Sequence, residues 1–211
     1  MDVKEIKNKV VNHFHLAELP PGTFLMGDQS GKGYKQESPA HEVAVDGFYM
    51  GKYPVTVTEF YAFITDLGDR YRESWGDFMN PCFIFKDGDT YKIWPGAETF
   101  PMVIVNVEGA IAYCNRCSEQ YGLEPVYDEK TLEADLSKSG FRLPTEAEWE
   151  YACGGPNGYT YAYGNEFNPS LINYKHYNGE LKGPSRTACR FLSTDSATVR
   201  TASDDAVCPP R

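Results

Sequence analysis

Residues 69–100 constrain the fold more than any other stretch. They carry Tyr71, Trp75, Phe78, Phe83, Phe85, Tyr91 and Trp94 among Gly, Asp and Pro, with no sustained helical or strand period. A segment of that length without regular structure is normally either functional or packed by its own side chains, and its aromatic content favours packing. The chain around it shows no βαβ rhythm.

Short regular elements flank this excursion. Residues 1–16 read as a polar helix, and LAELPPGTFLMGD reads as strand, Pro-Pro-Gly turn and strand, that is, a hairpin. HEVAVDGFYMGKYPV alternates well enough for one or two strands. Thr56-Val57-Thr58-Glu59 is a capping box opening a helix whose buried face would be Val57, Phe60, Tyr61 and Ile64, closed by Gly68. PMVIVNV reads as a buried strand leading into the helix EGAIAYCNRCSEQYG. Thr145 and Glu148 form a second capping box, after Pro144, for the helix EAEWEYAC, which ends at Gly154-Gly155. Sparse helices, short strands and many turns indicate an α+β chain, with one domain the simpler reading of 211 residues. GDQSGKGYKQESPA is Gly- and Lys-rich, but its spacing is wrong for a phosphate loop and Lys32 precedes Gly33 instead of Ser or Thr.

Charge and cysteine usage exclude several classes of function. Thirty acidic against 20 basic residues give a net charge of -10, which disfavours nucleic acid and anionic membrane as partners while leaving room for a local basic patch. No apolar run approaches the roughly 20 residues of a membrane span, and the N-terminal residues lack a signal-like apolar core, so a cytoplasmic chain is expected. Cys82, Cys114, Cys117, Cys153, Cys189 and Cys208 are too few and too irregular for a disulfide scaffold. Cys114 and Cys117 make a C-x2-C without a second half. Because Ile111, Cys114, Cys117 or Ser118, and Tyr121 recur at helical spacing, the pair reads as buried helix stripe in preference to metal ligands. His13 and His15 are the only histidines close together among His13, His15, His41 and His176.

Composition breaks at Leu181. From there to Arg211 the only aromatic is Phe191, Ser, Thr and Ala fill 12 of 31 positions, and the charge balance turns positive. Three parts follow: a helical lead-in at 1–16, the body at 17–180, and an atypical tail at 181–211.

Three strings in order carry a family resemblance: ELPPGTFLMGD with ESPAHEVAVDGFYMGKYPVTVTEFYAFI, then PMVIVNVEGAIAYCNRCSEQYGL, then GFRLPTEAEWEYACGG. The ungapped run Arg142-Leu143-Pro144-Thr145-Glu146-Ala147-Glu148-Trp149-Glu150 is the most specific. Together they resemble the formylglycine-generating, sulfatase-modifying enzyme family over roughly residues 17–180. The resemblance implies a C-type-lectin-like α+β fold and oxidation of a peptidyl cysteine to formylglycine, hence a protein or peptide substrate. It also implies a copper ion on two neighbouring cysteines near the C-terminus, whose soft thiolates suit Cu(I).

The signature residues themselves read as structural. Pro144 stops a strand, Thr145 caps, Glu148 reaches back, and Trp149 is expected to plant the helix on the core. Arg142 has Glu146 and Glu150 as candidate partners, and an exposed Glu146/Glu150 pair is a weak candidate for acid–base chemistry.

The resemblance fails beyond the Tyr-Gly-Asn turn at Ala162-Tyr163-Gly164-Asn165. The family's GLYDM, WEW and GGSW segments do not follow, so no copper role passes to Cys189 or Cys208, and no catalytic residue is assigned. Copper is expected only for a complete family member, and the activity is expected to be lost or incomplete in this chain. One family calcium site begins at a position matching Asn173 and Tyr174, where the alternative is a turn-forming asparagine. Residues from about 186 onward are compatible with an out-of-frame reading, because a shift of one nucleotide permits Pro-Val-Gly-Ser-Tyr-Pro-Pro from Ala188. The alternative function is a non-catalytic lectin-like binding module, with Trp75 and Trp94 as contact candidates against a core-packing role.

Overall fold

A computed structural model describes residues 3–29, 31, 34–75, 83–154 and 157–168. Two compact units emerge. One comprises the residues up to Tyr53 together with Pro144–Asn168, and the other Pro54–Leu143.

In the first unit, helix α1 (Val3–His13) leads into four short strands: β1 (Leu16–Leu19), β2 (Gly22–Met26), β3 (His41–Val45) and β4 (Phe48–Gly51). The expected β1–β2 hairpin does not form. Instead β1 pairs antiparallel with β4 and β2 with β3. Leu19 faces Phe48 and Gly22 faces Val45, so the breaks at Pro20-Pro21 and Asp46-Gly47 match in length and one register runs through both pairs. This is a single long hairpin with an interrupted ladder. Pro-Pro cannot supply the positive φ of a tight two-residue hairpin turn, and neither proline has an amide to donate to the ladder, so the chain continues forward and the pairing lapses for two residues. Gly47 lies against this break: a Cβ there would sit 3.1 Å from Cδ of Pro21. The true turn lies in the Gly- and Lys-rich stretch rejected as a phosphate loop, where Asp28 N–H donates to Glu37 O at 2.8 Å.

Helix α4 (Glu146–Cys153) closes this unit's core. Leu19, Phe24, Met50, Tyr151 and Ala152 are buried together, with Met26, Val43, Val45 and Phe48 packed around them.

In the second unit, helix α2 (Val57–Leu67) starts at the expected capping box, with Thr56 N–H donating to Glu59 Oε2 at 2.7 Å and Glu59 N–H to Thr56 Oγ1 at 3.3 Å. Gly68 ends it with a φ of 54°. The buried face is Val57, Phe60, Phe63 and Ile64, while Tyr61 is half-buried and donates its hydroxyl to Tyr91 O at 3.1 Å. Single 3-10 turns follow at Gly68–Arg70 and Glu73–Trp75.

Tyr71, Trp75 and Phe83 of the excursion are buried, as its aromatics indicate, while Phe78 lies outside the described residues, and an antiparallel hairpin of β5 (Ile84–Asp87) and β6 (Thr90–Ile93) forms within it. Gly88, with a φ of 62°, begins its two-residue turn. Phe63 stacks on Trp75 with centroids 6.1 Å apart, and Tyr71 meets Trp75 edge-on at 5.7 Å.

PMVIVNV is not a strand. It bridges at Pro101, to Thr56, and Ile104 adopts a φ of 59°, which ends any extended run. Met102 through Val105 instead pack as irregular chain against the core of this unit. Helix α3 (Val107–Gln120) then begins at the Asn106 cap, whose Oδ1 accepts the Gly109 N–H at 2.9 Å.

Candidate functional site

The signature run ends in helix α4, so its geometry decides what those residues do. Thr145 Oγ1 accepts the Glu148 N–H at 3.2 Å, and Glu148 Oε2 accepts the Thr145 N–H at 2.8 Å. Glu150 Oε1 accepts the Gly27 N–H at 2.8 Å, fixing the start of the loop between β2 and β3. Gly27 has a φ of 103°, and a Cβ there would lie 2.4 Å from the Glu37 carbonyl oxygen, so the position requires glycine. Glu150 is thereby committed to the backbone and Glu146 is exposed, an arrangement of anchoring carboxylate and solvated carboxylate without the geometry of an acid–base pair.

Trp149 is half-buried and is not the anchor expected of it. Tyr151 is: its ring lies 5.5 Å from that of Phe24 and 6.4 Å from that of Phe48, and its hydroxyl donates to Pro20 O at 3.3 Å. Tyr151 lies one residue from Ala152 on the inward face, whereas Trp149 sits about 200° round the helix from Tyr151 at ~100° per residue.

Arg142 and Leu143 are delivered by a polar lattice on α3. Asn115, nearly fully buried, mimics a peptide group: its Nδ2 donates to Tyr127 O at 2.9 Å and its Oδ1 accepts the Tyr127 N–H at 3.1 Å. Ser118, with no exposed surface, accepts the Phe141 N–H at 2.8 Å and donates to Cys114 O at 2.9 Å. Tyr127 OH accepts the Leu143 N–H at 3.0 Å, and Arg142 Nη1 donates to Leu143 O at 3.2 Å. Sequence reading missed Asn115 and Tyr127. The available signal was a polar residue within the buried stripe of an amphipathic helix, which must find a partner when buried.

Cys114 and Cys117 lie on that same stripe and are buried free thiols. Burial pushes both thiols up to about 12, with the neighbouring Cys117 adding to the effect on Cys114. Tyr113 beside them is raised well above the usual phenol value, again by burial. Both sulfurs sit within the buried stripe of α3, and no copper role is assigned to them. No group of three or more His, Cys, Asp or Glu among the described residues is placed to hold a metal. Asn173 and Tyr174, the candidate calcium residues, lie outside the described residues, as do Cys82, Cys189, Cys208, His176 and the tail from 181. Of the two candidate contact tryptophans, Trp75 is core, whereas Trp94 is 46% exposed beside Phe85, 5.1 Å between centroids. The Tyr-Gly-Asn turn forms as read, with Asn165 Oδ1 accepting the Thr160 N–H at 2.9 Å.

The sulfatase-modifying factor enzyme 1-like domain matches residues 4–197. This chain belongs to that family. Its sulfatase-modifying-factor relatives include the formylglycine-generating enzyme of Streptomyces coelicolor, 33% identical over 165 residues, covering 72% of this chain and 51% of the relative. The inactive C-alpha-formylglycine-generating enzyme 2 of Bos taurus is 29% identical over 191 residues, covering 75% and 55%. The chain spans about half the length of these relatives. Among solved structures, CarF superposes with a TM-score of 0.56 at 22% identity, covering 77% of this chain and 68% of that one, which establishes the shared α+β sulfatase-modifying-factor fold.

Proposed function

We propose that this chain carries the scaffold portion of a sulfatase-modifying-factor-type domain, whose family chemistry is oxidation of a cysteine in a protein or peptide substrate to formylglycine. In this reading the 211 residues do not perform that oxidation on their own. The observation that carries it is in the sequence: after the turn Ala162-Tyr163-Gly164-Asn165 the GLYDM, WEW and GGSW segments, with the cysteine pair the family carries there, do not follow. The relatives support both halves of the reading, since one is named as a formylglycine-generating enzyme and another as inactive. Copper then belongs only to a complete family member, and a calcium ion near Asn173 and Tyr174 is part of the same proposal.

The test is incubation of the purified chain, with and without added copper, with a cysteine-bearing peptide under air, followed by mass spectrometry for the aldehyde. The expected result is unmodified peptide in both cases. Copper-dependent formylglycine would overturn the reading. Resequencing of the gene across codons 180–211 tests its second part, that another frame restores the segments the family carries after the Tyr-Gly-Asn turn; an unbroken frame with nothing related downstream would remove it. The alternative, a non-catalytic binding module, draws on the exposed Trp94.

A further inference from the structure

Within the second unit, a hollow of about 390 Å³ opens between the end of α2, the two 3-10 turns and α3. Leu67 and Ala112 supply an apolar floor, and three arginines converge on it in a chain whose net charge is -10.

The arginines are not equivalent. Arg116 is bound on both sides, by Asp66 through Nε and by Glu119 through Nη1 at 2.9 Å. Those hydrogen bonds raise its pKa, and the one from Arg116 holds the Asp66 carboxyl below its usual value. Arg116 is therefore spent on the wall. Arg70 and Arg72 are exposed and neither makes an ion-pair contact among the described residues, although the charge of Arg70 helps to lower the Asp66 carboxyl beside it. Arg72 is steadied by the Trp75 ring, 5.7 Å from its centroid, so its guanidinium starts partly ordered. On the lining too is Glu129, an exposed carboxylate with no cation in contact among the described residues.

The geometry points to a binding site for an acidic segment of polypeptide, with its side-chain carboxylates on Arg70 and Arg72 and its backbone N–H groups toward Glu129. Two exposed guanidinium forks call for planar carboxylates. A compact free anion such as phosphate satisfies the arginines but meets Glu119 and Glu129, whereas a peptide brings N–H donors with its acids. The site asks nothing of the oxidation chemistry, so either can fail without the other.

The experiment is fluorescence anisotropy on the full chain with a labelled peptide alternating Asp and Gly, against the same peptide with Asn for Asp. The Asp peptide is expected to bind, more weakly as salt rises, and the Asn peptide is not. Arg70→Gln with Arg72→Gln, which keep most of each stem, should weaken binding about tenfold, the scale of two exposed charge contacts. Arg70→Lys with Arg72→Lys should recover part of it, and Lys92→Gln, away from the hollow, should change nothing. Equal binding of the two peptides, no binding by either, or an unchanged Gln variant overturns the proposal. Full displacement by equimolar inorganic phosphate also overturns it, reassigning the hollow to a free anion. The comparison of peptides uses the unsubstituted protein, so it decides the matter even where a variant fails to fold.

Discussion

At the scale of single residues, the polar groups inside this protein do the most specific work. Asn115 closes two hydrogen bonds on the backbone of Tyr127, so its removal strands a donor and an acceptor together. Asn115→Ala is expected to cost about 1–3 kcal/mol, the penalty for leaving such groups unpaired. Asn115→Leu, of similar size, should be no better, because the loss is polar and not volumetric. Urea melts of both variants check this, and a Leu variant as stable as the parent would refute it. Glu150 presents a parallel case. Its bond to Gly27 is charge-assisted, so Glu150→Ala should lose about 1.5–3 kcal/mol, while Glu150→Gln keeps an acceptor oxygen in place and should lose clearly less. Equal losses would mean that packing, and not the acceptor, is what Glu150 contributes.

Among the elements, helix starts and close approaches are where sequence and structure meet. Thr56→Ala removes the side-chain acceptor of a capping box and is expected to cost about 1 kcal/mol in chemical denaturation. Gly109 is more restrictive. A Cβ there would lie 2.6 Å from the carbonyl oxygen of Trp75 and 2.9 Å from its Cβ, so α3 can approach the Trp75 turn only with glycine facing it. Gly109→Ala should destabilise by about 1–3 kcal/mol despite alanine's better helix propensity, and should shift tryptophan fluorescence. A stabilised Gly109→Ala would show that the helix has room to move.

Both capping boxes were readable because they are local: three residues of spacing determine them. The interrupted hairpin was not, since Pro-Pro-Gly is turn chemistry by composition, and only the register with β4 reveals that the chain passes straight through it. The hairpin of β5 and β6 had a local signal in Gly88-Asp89 between Phe83–Lys86 and Tyr91–Trp94, masked by the aromatic density around it. Val103-Ile104-Val105 misled in the opposite sense, because β-branched residues favour strands on average while here the cap of α3 and the Trp75 turn fix a local bend. Arg70, Arg72 and Arg116 are 46 positions apart at the extremes, so their convergence needed the fold.

For the molecule as a whole, titration links these local arrangements to stability. On the acid side, the hydrogen bond from Arg116 lowers Asp66, backbone amides of Thr131 and Lys130 lower Asp128, and Ser137 lowers Asp135. A carboxyl with a depressed folded value favours the folded state above its unfolded value of 3.8, and that contribution disappears as pH falls through the folded values. These groups are exposed, so the slope should be shallow and weaken with salt.

The alkaline side differs in origin. Cys114 and Cys117 are raised by burial from 9.0 to about 12, so the unfolded chain ionises first. Their contribution is whole below pH 9 and is lost as pH rises from there to about 12, with each thiol adding up to ~1.4 kcal/mol per pH unit to the slope. Cys114→Ala leaves a cavity and lowers stability at every pH, but it also removes one titrating group. The plot of unfolding free energy against pH between 9 and 11 should therefore be lower and flatter by about that amount. A variant that is lower but equally steep would show that the Cys114 thiol titrates alike in both states, and that its surroundings admit enough water to hold a thiolate.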